Sequence, residues 1–294
     1  MPYLLKNKSI ELHLYAPDEN YHLPRFDWTG KIFEVKYEGI PLAGYEKEVT
    51  EAGDFAGRGF YNEFGIEKAI GFAECKPGDW FHKIGVGLLQ KEGADYLFHH
   101  PYKIRPSEWV IEKTEESIAF SCSAPLVNGY AYEYKKTIQL TDQGVDIHYQ
   151  LKNTGEKLID TNEYNHNFIR IADQPIGPGY VLKFVFSLQP GSTGEYLNPK
   201  NVIEFHETEM KLTGIPDSPF FFSFLNGKEP VRAQWELINT SLGIGIKEVG
   251  SFSTSKVNLW GWQGAISPEL FIAIKLPPGE TKSWTRSYTM FKTG

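Results

Sequence analysis

The chain has 294 residues, 41% hydrophobic and 23% charged, which are the proportions of a soluble globular protein. A formal net charge of −7 argues against a nucleic acid as partner, because such binders carry a basic face. Only two cysteines are present, Cys75 and Cys122, so no disulfide scaffold is expected. The opening residues lack the apolar core of a signal peptide, and no apolar run approaches the roughly 20 residues of a membrane helix; a cytoplasmic protein with no membrane partner is expected.

Aromatic residues make up 15% of the chain, which favours sheets, where they pack across strands. In chain order, "KIFEVKYEG" (31–39) places Phe33, Val35 and Tyr37 on one face of a strand and Lys36 on the other. "GRGFYNEF" (57–64), within the longer segment 54–72, sets Arg58 and Glu63 among glycines and aromatics. It reads either as a surface turn with a weak ion pair or as a donor fork and a carboxylate offered to a hydroxyl-rich ligand. "PGDWFHKIGVGLL" (77–89) brings His82 and Lys83 into an apolar stretch. "FHHPY" holds His99 and His100, which a strand would point to opposite faces, so no metal site is expected there. "PSEWVIEKTEES" (106–117) is the best candidate for a helix, with a strand at Val110–Ile111 as the alternative.

"GYAYEYKKTIQL" alternates Tyr130, Tyr132 and Tyr134 against Glu133 and Lys135, and "VDIHYQL" continues with Ile147, Tyr149 and Leu151. Between them "LTDQGVD" reads as a hairpin connection with positive φ at its glycine. "TNEYNHNF" (161–168) interrupts this pattern: three asparagines within six residues are poor strand formers around a lone histidine, His166. "VLKFVFSL" is again a strand, with Leu182, Phe184 and Phe186 on one face, and a long polar loop follows at 187–201. Near the end, Glu269 lies between Pro268 and "LFIAI", as a carboxylate opening an apolar strand. It is either an edge residue facing solvent or a general base made more basic by burial. The pattern predicts an all-β protein, a large antiparallel β-sandwich forming one domain over 1–294. Phosphate-loop, nucleophile-elbow and zinc-protease motifs are absent.

Three of these segments, in this order, resemble the galactose mutarotase-like superfamily of aldose 1-epimerases and hexose-6-phosphate epimerases: "GRGFYNEF", "TNEYNHNF" and "SPELFIAIKLPPGETKSWTRSYTMF". The resemblance implies a supersandwich and an enzyme that interconverts sugar anomers without a cofactor. In it His166 is the general acid and Glu269 the general base, with Arg58 and Asn62 in the substrate-binding segment. The partner implied is a monosaccharide or a sugar phosphate. The chain departs from the family in two segments, and its spacing from His166 to Glu269 is shorter than in typical aldose epimerases. Family members carry Asn-Arg where this chain has Asn62-Glu63, and a Leu-His-Gly-Gly segment whose nearest counterpart here is "FHKIGVG", so His82, Lys83 or His99 is left to assist His166. Tyr164, Trp260 and Trp262 are candidates to stack on a sugar ring. Asn165 and Asn167 are expected to divide their work, one facing the ligand or the imidazole and the other packing. The expected separation of His166 and Glu269 is about the width of a sugar ring. The rival readings are a carbohydrate-binding protein without turnover and a hydrolase using Glu63 and Glu269.

Overall fold

The computed structural model describes residues 2–17, 19–48 and 56–293; residues 54 and 55, which open the 54–72 segment, lie outside them. Among the described residues there is no α-helix, only two single-turn 3-10 segments at Ile171–Asp173 and Pro199–Asn201. The chain forms three stacked layers, with a further four-stranded sheet of Tyr196–Leu197, Phe220–Phe222, Val257–Trp262 and Ala265–Leu270 alongside the middle one. One outer layer is a ten-stranded antiparallel sheet, whose central strands are Ile244–Thr254, Thr281–Lys292, Gly144–Asn153 and Tyr130–Thr141. The middle layer is a seven-stranded sheet in the order Tyr3–Lys6, Ile10–Tyr15, Lys31–Tyr37, Gly59–Phe64, Ile159–Phe168, Ile272–Leu276, with Ile40–Pro41 paired to Lys31–Tyr37. The third layer caps the middle sheet, and is built from residues 19–30 and a small sheet of Trp80–Lys83, Gly87–Gln90 and Ile104–Pro106.

Period-two alternation assigns each strand's side chains to one of two cores. Between the two large sheets lie Leu12, Val35, Phe60 and Phe64 from one side and Ile138, Ile147, Trp284 and Tyr288 from the other. Phe60 stacks on Tyr288 with ring centres 4.8 Å apart, and Phe64 meets Tyr134 edge-on at 5.4 Å. Between the middle sheet and its cap a second apolar cluster gathers Tyr21, Phe26, Tyr61, Phe81 and Phe168. The middle sheet is therefore covered on both faces, and its buried Glu63 and Glu163 are paired rather than solvated.

The structure departs from the sequence pattern at several points. Phe33 leaves the face of Val35 and Tyr37, because a bulge opposite His13 and Leu14 inserts a residue there; it stacks on Tyr15 instead, at 3.9 Å. Val110–Lys113 is a strand at the edge of the ten-stranded sheet, not a helix. The hairpin glycine Gly144 has no positive φ; it is needed because a Cβ there would lie 1.8 Å from the Tyr288 carbonyl oxygen. The polar loop 187–201 contains a short strand at Tyr196–Leu197. His99 and His100 lie in a turn rather than on a strand. No described helix is long and apolar enough to cross a membrane.

Candidate active site

"TNEYNHNF" does not interrupt the sheet. Ile159–Phe168 is one unbroken strand; Asn165 and Asn167 are tied by side-chain bonds instead of disturbing the ladder, while Asn162 Oδ1 is buried without a hydrogen-bond partner. At its first half the neighbour is Ile272–Leu276, as far as the pair Glu163 and Ile272. Beyond that the neighbour changes to Ala265–Leu270, and a regular ladder is replaced by side-chain ties. Ser267 Oγ accepts the Asn167 N–H at 2.9 Å, and Asn167 Nδ2 donates to the Pro268 carbonyl at 2.9 Å. Glu269 accordingly sits near the end of Ala265–Leu270, not at the start of the following strand, and Phe271 marks the break.

Alternation then sorts the strand's residues. Glu163, Asn165 and Asn167 point inward toward the ten-stranded sheet, while Tyr164, His166 and Phe168 point toward the cap. Neither flanking asparagine touches the imidazole, contrary to the expected division of labour, because strand neighbours face opposite ways. The inward face carries a dry polar network. Arg286, wholly buried, donates to Glu163 at 2.8 Å and to Glu248 at 2.6 Å. Glu248 also accepts from Trp235 Nε1 and from Asn167 Nδ2. Tyr288 donates to Asn167 Oδ1 and accepts from Asn165 Nδ2. These bonds lock the register of the histidine strand from behind.

On the cap side His166 Nε2 lies 3.3 Å from Glu269 Oε1, and the two side chains are only 4% and 6% exposed. They share one surface, as the resemblance implies, but they touch instead of standing a sugar ring apart. Around them Phe168 stacks on the imidazole at 4.0 Å, with Trp260 edge-on at 5.2 Å and Phe26 edge-on at 6.1 Å. Gly57 makes the Phe168 stack possible, since a Cβ there would come within 2.2 Å of its ring. Burial in this apolar shell pushes the Glu269 carboxyl up to about 8, against the opposing pull of the Arg25 guanidinium and Asn258. The same burial, helped by Arg25, holds the His166 imidazolium well below its usual range. Both shifts favour the uncharged pair, a carboxylic acid beside a neutral imidazole, and His166 Nδ1 is buried without a hydrogen-bond partner.

The remaining predicted residues divide. Glu63 is in the site but is not free for a ligand: it accepts from Tyr164 OH at 2.9 Å, Arg25 Nε at 3.2 Å and Lys83 Nζ at 3.3 Å. That saturation leaves it unsuited to act as a second hydrolytic carboxylate. Lys83 also donates to Tyr96 OH at 2.9 Å, and of the residues named as assistants it is the one that joins the cluster. His82, its neighbour on the strand, turns the other way; it bonds the Tyr130 carbonyl, packs on Tyr132, and burial brings its pKa down to about 4. Asn62 faces the inner core, where its Oδ1 accepts from the buried Lys136. Arg58 is exposed and lies over Phe33, so the guanidinium in the site comes from elsewhere. Tyr164 is fully covered, stacked on Phe271 at 4.4 Å. Trp262 is bound to the Tyr45 carbonyl and lies against the Tyr45 ring, while Trp260 is the tryptophan that meets the imidazole.

Arg25 is the residue that sequence reasoning missed. It reaches in from the cap between Glu63 and Glu46, bonding the latter at 2.7 Å, with its guanidinium over Phe26. No pattern in "HLPRFDW" marks it; only the tertiary placement of residues 19–30 does. A cavity of about 240 Å³ opens at this point, lined by Tyr21, Leu23, Pro24, Arg25, Glu46, Lys47 and His99. A roomier cavity of about 550 Å³ lies on the outer face of the ten-stranded sheet, around Trp109, Ser121, Lys135 and Gln150, and holds none of the predicted residues. Among the described residues, no three His, Cys, Asp or Glu side chains gather as a metal site.

Three layers with an acid–base pair under the cap invite comparison with solved structures. A proposed aldose 1-epimerase from Escherichia coli K12 superposes with a TM-score of 0.62 at 13% identity, covering 99% of each chain. The fold is that of the galactose mutarotase-like proteins. A galactose mutarotase-like protein from Lactobacillus casei has a TM-score of 0.55 at 12% identity, covering 99% of this chain and 100% of its own. The GalM/aldose epimerase homologue from C. elegans gives 0.56 at 12% identity, covering 100% and 99%. No protein-family model and no curated protein matches the chain. At these identities the likeness to the galactose mutarotase-like proteins is one of fold, and the chemistry rests on the residues themselves.

Proposed function

We propose that the protein is an aldose 1-epimerase-like enzyme that opens and recloses a sugar ring with His166 and Glu269. The observation that carries this reading is an imidazole and a carboxyl 3.3 Å apart, both almost completely buried, where burial favours the uncharged form of each. The two oxygens that exchange protons in ring opening, the C1 hydroxyl and the ring oxygen, are bonded to the same carbon. An acid and a base serving them need to be close together, so a 3.3 Å pair suits the reaction better than a ring-wide separation.

In the resting protonation Glu269 gives its proton to the ring oxygen while His166 Nε2 takes the proton of the C1 hydroxyl. The C1–O5 bond breaks, the aldehyde forms, and rotation about C1–C2 presents the other face. Closure returns both protons. The assignment implied by the resemblance, His166 as acid and Glu269 as base, uses the ion-pair form, one proton transfer away within the same pair. Either order conserves the protons and consumes no co-reactant. The unpaired His166 Nδ1 also supports a role in handling ligand, since leaving a buried polar atom unpaired costs about 1–3 kcal/mol.

The test is anomer relaxation of freshly dissolved aldoses, followed by NMR or polarimetry. His166→Ala should slow the catalysed rate by about 10²–10⁴-fold. If wild type relaxes no sugar in a broad panel faster than buffer does, the enzyme reading is wrong. The near-complete burial of the pair favours one alternative, a carbohydrate-binding protein without turnover, for which saturable sugar binding at the buffer rate of relaxation is the signature.

A further inference from the structure

We infer that Arg25 is the substrate-contacting guanidinium of this site and that the sugar reaches the His166–Glu269 pair past it, from the cavity bordered by Glu46 and Lys47. This inference rests on the acid–base reading of the pair. With side chains 4% and 6% exposed, neither His166 nor Glu269 can meet a sugar unless a covering group moves. Phe168, Tyr164 and Trp260 are carried by sheet strands and packed on their neighbours. Arg25 differs in three respects. It comes from the cap, it lines an open cavity, and its field reaches both members of the pair, depressing each one's pKa.

Its two anchors are unequal. Glu63 is fully buried and further held by Lys83 and Tyr164, so it keeps the Arg25 Nε in place. Glu46 is about a quarter exposed, belongs to the cavity wall, and also accepts the Gly57 N–H. The Arg25–Glu46 bond is therefore the exchangeable one, and a sugar oxygen entering from the cavity can take the place of the Glu46 carboxylate on Arg25 Nη1. A charged donor is well matched to hydroxyl oxygens. The cavity, about 240 Å³, falls below the roughly 300–1,000 Å³ of pockets for drug-sized ligands, which fits a single sugar ring rather than an oligosaccharide. Because the positive charge of Arg25 favours the Glu269 carboxylate, the residue that binds sugar also sets the pH at which the pair works.

The experiment compares wild type, Arg25→Ala and Arg25→Lys for anomer relaxation across pH, together with equilibrium sugar binding by saturation-transfer NMR. Arg25→Ala should lose about 10–100-fold in kcat/KM, mainly through KM, as expected for a lost bond to a charged donor. Its alkaline limb, set by Glu269, should move upward, and millimolar guanidinium chloride should restore part of the activity of Arg25→Ala and of no other variant. A folded Arg25→Ala with wild-type kcat/KM, or with a loss that neither shifts the pH profile nor responds to guanidinium, overturns the inference while leaving the enzyme reading intact. Sugar binding that weakens 10–100-fold in Arg25→Ala, without turnover in wild type, supports the inference and sinks the enzyme reading. No binding and no turnover in wild type overturns both.

Discussion

Glu269→Gln should destroy catalysis and stabilise the fold, and the size of the stabilisation should grow with pH. In the folded protein burial raises the Glu269 carboxyl from its ordinary 4.5 to about 8. A carboxyl whose folded pKa is raised holds its proton more tightly folded than unfolded. Its contribution to stability is whole below pH 4.5 and is lost as the pH climbs through 8. At about 1.36 kcal/mol per tenfold change in proton affinity, the loss is about 3 kcal/mol by pH 7 and roughly 5 kcal/mol by pH 9. Glutamine has nearly the same shape, keeps a partner for Asn258, and has no proton to lose. Relative to wild type it should gain little at pH 4.5, about 3 kcal/mol at pH 7 and more at pH 9. At roughly 2 °C per kcal/mol for a chain of this size, the gain at pH 7 is about 6 °C in Tm. Thermal melts of both proteins at the three pH values measure it. A Tm difference that stays flat or shrinks from pH 4.5 to 9 would refute the reasoning that Glu269 is a buried acid. The gain fits the general rule that functional sites hold groups the fold would be better off without.

Other substitutions probe the surroundings of the pair. Arg286→Met strands Glu163 and Glu248 in a buried interior and should cost about 3–5 kcal/mol in urea unfolding at pH 7, with a smaller loss in acid as Glu163, whose pKa burial raises, takes up its proton. Asn167→Ala removes ties to Glu248, Pro268 and Tyr288 behind the histidine, and should cost about 2–3 kcal/mol by chemical denaturation. Gly57→Ala should drive Phe168 off the imidazole, lowering Tm and distorting the His166 ring resonances in NMR. Arg58→Ala, by contrast, should change neither anomer relaxation nor stability by more than about 0.5 kcal/mol, because the side chain is exposed on the Phe33 side.

Much of the architecture was legible in the sequence because period-two patterns report burial directly. Tyr132, Tyr134 and the run Ile147, Tyr149, Leu151 land in the inter-sheet core as read, with Tyr130 half-buried at its margin. Phe33 was misplaced because a bulge shifts parity by one, which no local pattern reveals. The asparagines of 161–168 looked like strand breakers because propensity is averaged over ordinary strands; here Asn167 bonds laterally where the neighbouring strand contains a proline, and Asn165 bonds across to Tyr149 and Tyr288 of the facing sheet. His166 and Glu269 are named through the family resemblance, local pattern leaving both open, and the structure brings the two side chains within 3.3 Å. The surroundings of the pair were less legible. Parity sends Asn62 inward and Glu63 outward, and Arg25 arrives from a segment with no periodic signal at all. Residues delivered by strands can be placed by counting, while residues delivered by a cap cannot.

The lateral ties of Asn167 also bear on how this strand can change over time. Between Glu163 and Phe168, an insertion or deletion of one residue would exchange the faces, sending the histidine toward Arg286 and an asparagine toward Glu269. Substitutions can drift there one at a time, but length cannot. The segment should keep its residue count in any descendant that keeps the histidine opposite the glutamate, whereas the cap, which carries Arg25 on a loop, is free to lengthen and shorten. On the acid–base reading proposed above, the chemistry rests on fixed spacing, and the choice of what is admitted to it rests on the part of the chain that can vary.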